Sequence, residues 1–294
     1  MNAPPQAASA SQPSALPCRD PDDARARLAR ILGNVKVPTF PEGHRRLLHA
    51  IRDERCSPAH LSRLVASDPG VSIRLMRTVN SAAFSLPQKV SSISHAIALL
   101  GRRSLEQTVL ALGVTHSLPK WPNRQFNTKL FWRAAARRAT IARALCERFE
   151  PEAAETCFTA ALLLDMAVPL LVKARPRTYL DILEGWRAGE APLHDLETET
   201  FGWNHSEVGS LLAAAWSFPE VLRTAIADHH AGGTLGVPMA VRLVATMGEE
   251  ADNKLNVDLL MATAVHEFGL PPDPVRSAVD TGVRRYDELA RCLS

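Results

Sequence analysis

Four side chains in the second half of the chain have the chemistry of a metal site: Asp165, His205, His229 and His230. Imidazole nitrogen and carboxylate oxygen are competent ligands for zinc or nickel. Their spacing argues the other way. His229 and His230 are adjacent, and neighbours on a regular helix diverge by about 100°, so the pair is not expected to grip one ion. The plainer expectation is that the four pair with one another, with backbone or with nearby charges in a partly polar interior. His205 follows Asn204, a good helix N-cap, and is placed just inside a helix start.

A second set is basic. Arg133, Arg137, Arg138 and Arg143 lie along one helical stretch, with Arg102 and Arg103 elsewhere. Such runs are expected to be solvated helix faces. Arg133, Arg137 and Arg138 are also where an anion, a nucleotide or a protein partner would dock. The run lacks the interleaved aromatics of a single-strand groove. No glycine-rich phosphate loop, nucleophile elbow or dinucleotide fingerprint occurs. Among 294 residues, 34 Lys and Arg face 31 Asp and Glu, a net charge of +3 that gives no bulk attraction to nucleic acid.

The elements that must position these groups read as helices throughout. Aromatics are 5% of the chain, and Ala and Leu recur, a composition that favours helix over sheet. Ser57-Pro58 and Asp68-Pro69 each combine an N-cap oxygen with a proline at the first helical position, where its missing N–H costs nothing. After Asp68, the apolar positions Val71, Leu75, Met76 and Val79 fall on one face. No sustained alternation suggests a strand, and no fixed-period repeat appears. The fold expected is all-α and two-lobed. Residues 1–20 form a loose tail, 21–120 a first helical lobe, 121–232 a second, and 233–294 a C-terminal helical extension. The segment 118–126 is the internal boundary; its Leu118, Trp121 and Phe126 want burial, so the lobes should pack together.

Cys18, Cys56, Cys146, Cys157 and Cys292 are odd in number and scattered, which predicts free thiols in a reducing compartment. No apolar run is read as reaching the roughly 18 residues that span a bilayer, and the N-terminus lacks the basic start and apolar stretch of a signal peptide. A cytoplasmic protein with no membrane association is expected.

Three stretches carry a family resemblance. The first runs from Val37-Pro38 to Leu112: VPTFPEGHRRLL, a helix opened by Asp68-Pro69 and ended by Asn80-Ser81, and a helix closing on A-x-x-x-L-G at Gly101. The second is FWRAAARRATIARALCE followed by ALLLDMAVPLLV. The third is ETETFGWNHSEVGSLLAAAWSFPEVLRTAIADHH, with W-x-x-P from Trp216 and the paired histidines. Together, over about residues 36–230, they resemble the HDOD domain, a bacterial output module related to the HD phosphohydrolases. Asn80 by itself reads as a helix terminator in the left-handed conformation, with Ser81 bonding the following turn.

The resemblance implies where hydrolase ligands would stand, and the chain departs there. Ala134 stands where the first histidine is expected, and Leu164 replaces the histidine of the His-Asp doublet, leaving Asp165. Metal in such enzymes activates water and neutralises phosphate charge, so missing ligands remove both functions together. The expectation is therefore a non-catalytic signalling module with no cofactor and no metal. It would act by docking to a protein partner or by sensing a small ligand such as a cyclic dinucleotide. Two alternatives stay open: a residual metal-dependent phosphohydrolase, and a nucleic-acid-binding regulator.

Overall fold

The computed structural model describes residues 20–80, 89–120, 126–230, 236–247 and 256–293. The all-α expectation holds among them. The first part comprises α1 (Pro21–Leu32), α2 (Glu42–Arg52), α3 (Pro58–Ala66), α4 (Pro69–Val79) and α5 (Ile93–Ser117). The second comprises α6 (Thr128–Phe149), α7 (Ala154–Leu163), α8 (Val168–Ala174), α9 (Pro176–Arg187), α10 (Leu193–Phe201), α11 (His205–Ala215) and α12 (Glu220–Asp228). The extension adds α13 (Met239–Ala245), α14 (Val257–His266) and α15 (Pro272–Leu293).

Local sequence sets these boundaries. Asp20, Ser57, Asp68, Ser92, Asn127 and Asn204 each accept a hydrogen bond from a backbone N–H in the first turn that follows. Gly101, at φ 68° and ψ 177°, a conformation open to glycine, breaks α5 into two helical segments joined by a kink. Asn80 does terminate α4, but at φ −80° and ψ 3°, not in the left-handed region. Its side chain does the work instead. Nδ2 donates to Met76 O at 3.0 Å and Val90 O at 2.8 Å, while Oδ1 accepts from Val90 N at 2.7 Å. One amide thus ties the helix end to the chain ten residues on. Ser81, Trp121 and residues 1–19 lie outside the described residues, while Asp20, assigned to the tail, caps α1.

The lobes share one core. Helix α5 packs on α7, and α1 lies on α11. Arg103 and Gln107 of α5 both donate to Thr156 Oγ1, at 3.0 and 3.1 Å. Trp216 Nε1 donates to Pro38 O at 2.9 Å, and its ring packs against Phe40 at 5.4 Å between centroids. Leu118 and Phe126, which flank the boundary, are both buried.

The extension is no appendage. Helix α15 lies along α6, and Gly282 makes this possible: a Cβ there would sit 2.5 Å from Ile141 Cα. This contact corrects the reading of the arginine run as a solvated face only in part, because Arg133 stays exposed while Arg137 is half-buried. Arg133 Nε donates to Tyr286 Oη at 3.2 Å, Arg137 lies over the Tyr286 ring, and Arg143 pairs with Glu147. Arg138 is buried.

Two further expectations are corrected. Cys146 of α6 and Cys157 of α7 are joined by a disulfide, so the thiols no longer speak for a reducing compartment. The stretch Thr156–Ala174 is long and apolar enough to cross a membrane by composition, with mean hydropathy 1.8. It is 72% buried inside the protein, and a turn at residues 164–167 divides it into α7 and α8.

Candidate metal and ligand site

Three chain interruptions bring the site together. Asp165 sits on the turn between α7 and α8, a turn closed by Met166 N to Leu163 O and Val168 N to Asp165 O, with Pro169 in the first turn of α8. Asn204 caps α11, and His205 is its first residue. Helix α12 ends at Asp228, leaving His229 at its cap and His230 in the turn beyond. Helix ends, not helix faces, carry the ligands.

The four groups meet. His205 Nε2 lies 2.9 Å from His230 Nε2, 3.4 Å from His229 Nε2 and 3.3 Å from Asp165 Oδ1. His229 Nε2 is 3.4 Å from the same carboxylate oxygen. The expectation that His229 and His230 diverge is thereby corrected. His229 keeps a near-helical backbone at the cap, φ −67° and ψ −19°, and the two rings converge through their side chains, with centroids 3.9 Å apart.

The ring orientations are fixed from behind. Glu197 Oε2 accepts from His205 Nδ1 at 2.6 Å and from His205 backbone N at 2.8 Å. Tyr179 Oη donates to the other oxygen, Oε1. His229 Nδ1 donates to Ile226 O at 2.8 Å. A hydrogen bond that fixes Nδ1–H leaves Nε2 facing the centre, the usual support of a histidine ligand. His194 stacks on His230, with ring centroids 4.0 Å apart. Arg138 pairs with the remaining Asp165 oxygen, Oδ2.

The electrostatics follow. Burial opposes ionisation of Asp165, but Arg138, with hydrogen bonds from His205 and His229, outweighs it and holds the carboxyl well below its usual range. Burial likewise opposes charge on His205; Glu197 and Asp165 outweigh it and push the ring up to about 10. Burial lowers His229, and burial with the neighbouring histidines lowers His230. Burial and Glu197 together raise Tyr179.

A cavity of about 740 Å³ opens over the cluster. Arg138, His194 and His230 line its polar side, Trp186 an apolar wall, and Thr263 and Glu267 bring the extension into it. That volume lies within the range of small-molecule sites, ~300–1,000 Å³.

The other sequence-predicted residues stand apart from this cavity. Asp68 caps α4, its Oδ1 accepting from Val71 N at 3.0 Å, with Pro69 following; Asn80, Gly101 and Trp216 serve the first lobe and the lobe contact. Ala134 is buried one turn before Arg138, and Leu164 is buried beside Asp165. Sequence reasoning missed Glu197, Tyr179 and His194. Glu197 lies eight residues before His205 inside the acidic stretch ETETF, where nothing marks one carboxylate as the buried one.

Comparison with known proteins agrees with this architecture. The HDOD domain model matches residues 37–232. A candidate phosphohydrolase from Shewanella amazonensis superposes with a TM-score of 0.71 at 23% identity, covering 92% of this chain and 98% of that one. An HDOD domain protein of unknown function from Geobacter sulfurreducens gives 0.59 at 20% identity, covering 92% and 93%. An uncharacterized protein of Treponema pallidum is 24% identical over 195 residues, 66% of this chain and only 37% of its own length. At these identities the superpositions establish the fold, and the family match over two thirds of the sequence establishes more: the chain belongs to the HDOD domain family.

Proposed function

We propose that this protein is a non-catalytic regulatory module, which signals by docking to a partner protein according to what its second-lobe cavity holds. The observation that carries this reading is Arg138 on Asp165 Oδ2. Phosphodiester hydrolysis of the HD type needs a cation-bound water held open to substrate. Here a fixed guanidinium, unable to carry a water or release a proton, occupies one carboxylate oxygen. Ala134 and Leu164 offer hydrocarbon where further ligands would stand. The cavity still suits a small ligand, and Arg187 on its wall offers a cation for a phosphate-bearing one.

A residual phosphohydrolase is the second reading, favoured by the convergence of four ligating groups beneath a nucleotide-sized cavity. Nucleic-acid binding loses its main support, because the α6 arginines face Tyr286, Glu147 and Asp165. The test is turnover of cyclic dinucleotides and of a chromogenic phosphodiester, each with added manganese, zinc or magnesium. No turnover above buffer is expected. Multiple turnover that disappears in His205→Ala would establish the enzyme reading instead.

A further inference from the structure

The facing atoms at the centre of the second lobe pose a problem of hydrogen-bond supply. Nδ1–H of His205 goes to Glu197, and Nδ1–H of His229 goes to Ile226 O. His229 Nε2 therefore presents a lone pair, 3.4 Å from Asp165 Oδ1 and 3.4 Å from His205 Nε2. A proton on His205 Nε2 faces two acceptors, His229 Nε2 and Asp165 Oδ1, with His230 Nε2 also 2.9 Å away, and can serve one well. Facing lone pairs left unserved in a buried site are costly.

A single cation serves all four at once. Tetrahedral zinc, with bonds of about 2.0–2.1 Å, keeps its ligand atoms roughly 3.3 Å apart. Four of the six separations here are 2.9, 3.3, 3.4 and 3.4 Å, and no two of the ligating atoms lie more than 4.8 Å apart. The surroundings match as well. Glu197 behind His205 and the Ile226 carbonyl behind His229 are the outer partners that orient metal-bound imidazoles. Arg138 takes the other oxygen of Asp165, leaving Oδ1 to bind through one atom.

We infer that Asp165 Oδ1 and the Nε2 atoms of His205, His229 and His230 hold one transition-metal ion of the zinc class in four-coordinate geometry. Three imidazoles and one carboxylate suit zinc, whereas magnesium and calcium prefer all-oxygen sites. Four protein ligands close the first coordination sphere, the arrangement of a structural site and not of a water-activating one. The ion joins the α7–α8 turn, the start of α11 and the end of α12, three of the places where the second lobe interrupts its helices. The inference does not rest on the non-catalytic reading. A metal-bearing protein that turned over phosphodiester would defeat that reading and leave this one standing.

The test uses the full chain, made without a histidine tag, stripped with chelator and titrated with cobalt(II). One equivalent should bind per chain and give the intense visible bands of four-coordinate cobalt, bleached by one equivalent of zinc. His229→Ala and His230→Ala should each weaken binding roughly 100-fold or more, and Glu197→Gln about 10- to 100-fold. Circular dichroism reports whether each variant is folded. Because a ligand variant may unfold, thermal melting of the stripped wild type provides the second readout, and one equivalent of zinc should raise its midpoint. A folded wild type that stays colourless with cobalt and melts unchanged with zinc overturns the inference. So does a weak six-coordinate spectrum that survives both histidine changes.

Discussion

Glu197 holds His205 at two points with one oxygen: Oε2 takes the Nδ1 proton at 2.6 Å and the backbone N–H at 2.8 Å. The carboxylate is wholly buried, and Tyr179 occupies its other oxygen. Glu197 thus fixes the ring, its tautomer and the first turn of α11 together, from directly behind the cavity wall.

Replacing Glu197 separates these roles. Glu197→Ala leaves a buried imidazole and a phenol without their acceptor, and should cost about 3–5 kcal/mol. Tyr179→Phe removes one hydrogen bond to a charged group, worth about 1.5–3 kcal/mol. Urea denaturation of both variants is the check. Equal losses would mean that Glu197 does not carry His205.

A pH-dependent loss of stability is expected from the first lobe. His44 is buried, with no partner for Nε2. Burial, then Arg74 and His116, push it down from 6.5 to about 4, against an opposing pull from Asp68. The unfolded chain takes up a proton below about 6.5 that the folded protein refuses until about 4. Stability therefore falls as pH drops through this window, by up to about 3 kcal/mol. His44→Gln should flatten that limb of the stability profile; an unchanged slope between pH 6.5 and 4 would assign the loss to other groups.

The extension should prove integral to the second lobe. Gly282→Ala would force a methyl against Ile141 backbone and push α15 from α6, costing about 1–3 kcal/mol. The Arg133 and Arg137 contacts to Tyr286 would loosen with it. Hydrogen exchange on α6 offers a local readout, and protection identical to wild type would show that α15 does not seal that helix.

The lobes should unfold as one. Trp216, Phe40 and Phe218 form a cluster across the contact, and Trp216 also donates to Pro38 O. Trp216→Ala should cost about 3–5 kcal/mol and lower a single calorimetric transition. Two transitions, only one of them moved, would show independent lobes.

Much of this was legible in the sequence wherever local chemistry decided the structure. Asp68-Pro69 and Asn204 cap helices because a short polar oxygen beside a helix start has few better uses. Asp165, His205, His229 and His230 were recognisable as one set of ligand types. Their convergence was not, because it depends on how the α7–α8 turn, the start of α11 and the end of α12 meet in space, and backbone divergence does not say where two long neighbouring side chains come together. Asn80 was read correctly as a terminator and wrongly as left-handed: its amide bonds to Val90 replace what a backbone turn would supply. The partners of Arg133, Arg137 and Arg138 come from α15 and from the α7–α8 turn, and no periodicity within α6 reports on them. Glu197 was hidden by its acidic neighbours.

The most direct measurement is native mass spectrometry of the untagged chain, purified without chelator and sprayed from neutral volatile buffer. The mass should exceed that of the polypeptide by one transition-metal ion, and the excess should vanish both in acid and in the double variant Asp165→Asn, His229→Gln. A folded chain at its bare polypeptide mass, even after incubation with zinc, would contradict the account and leave the cluster as a hydrogen-bonded network around Arg138 and Glu197.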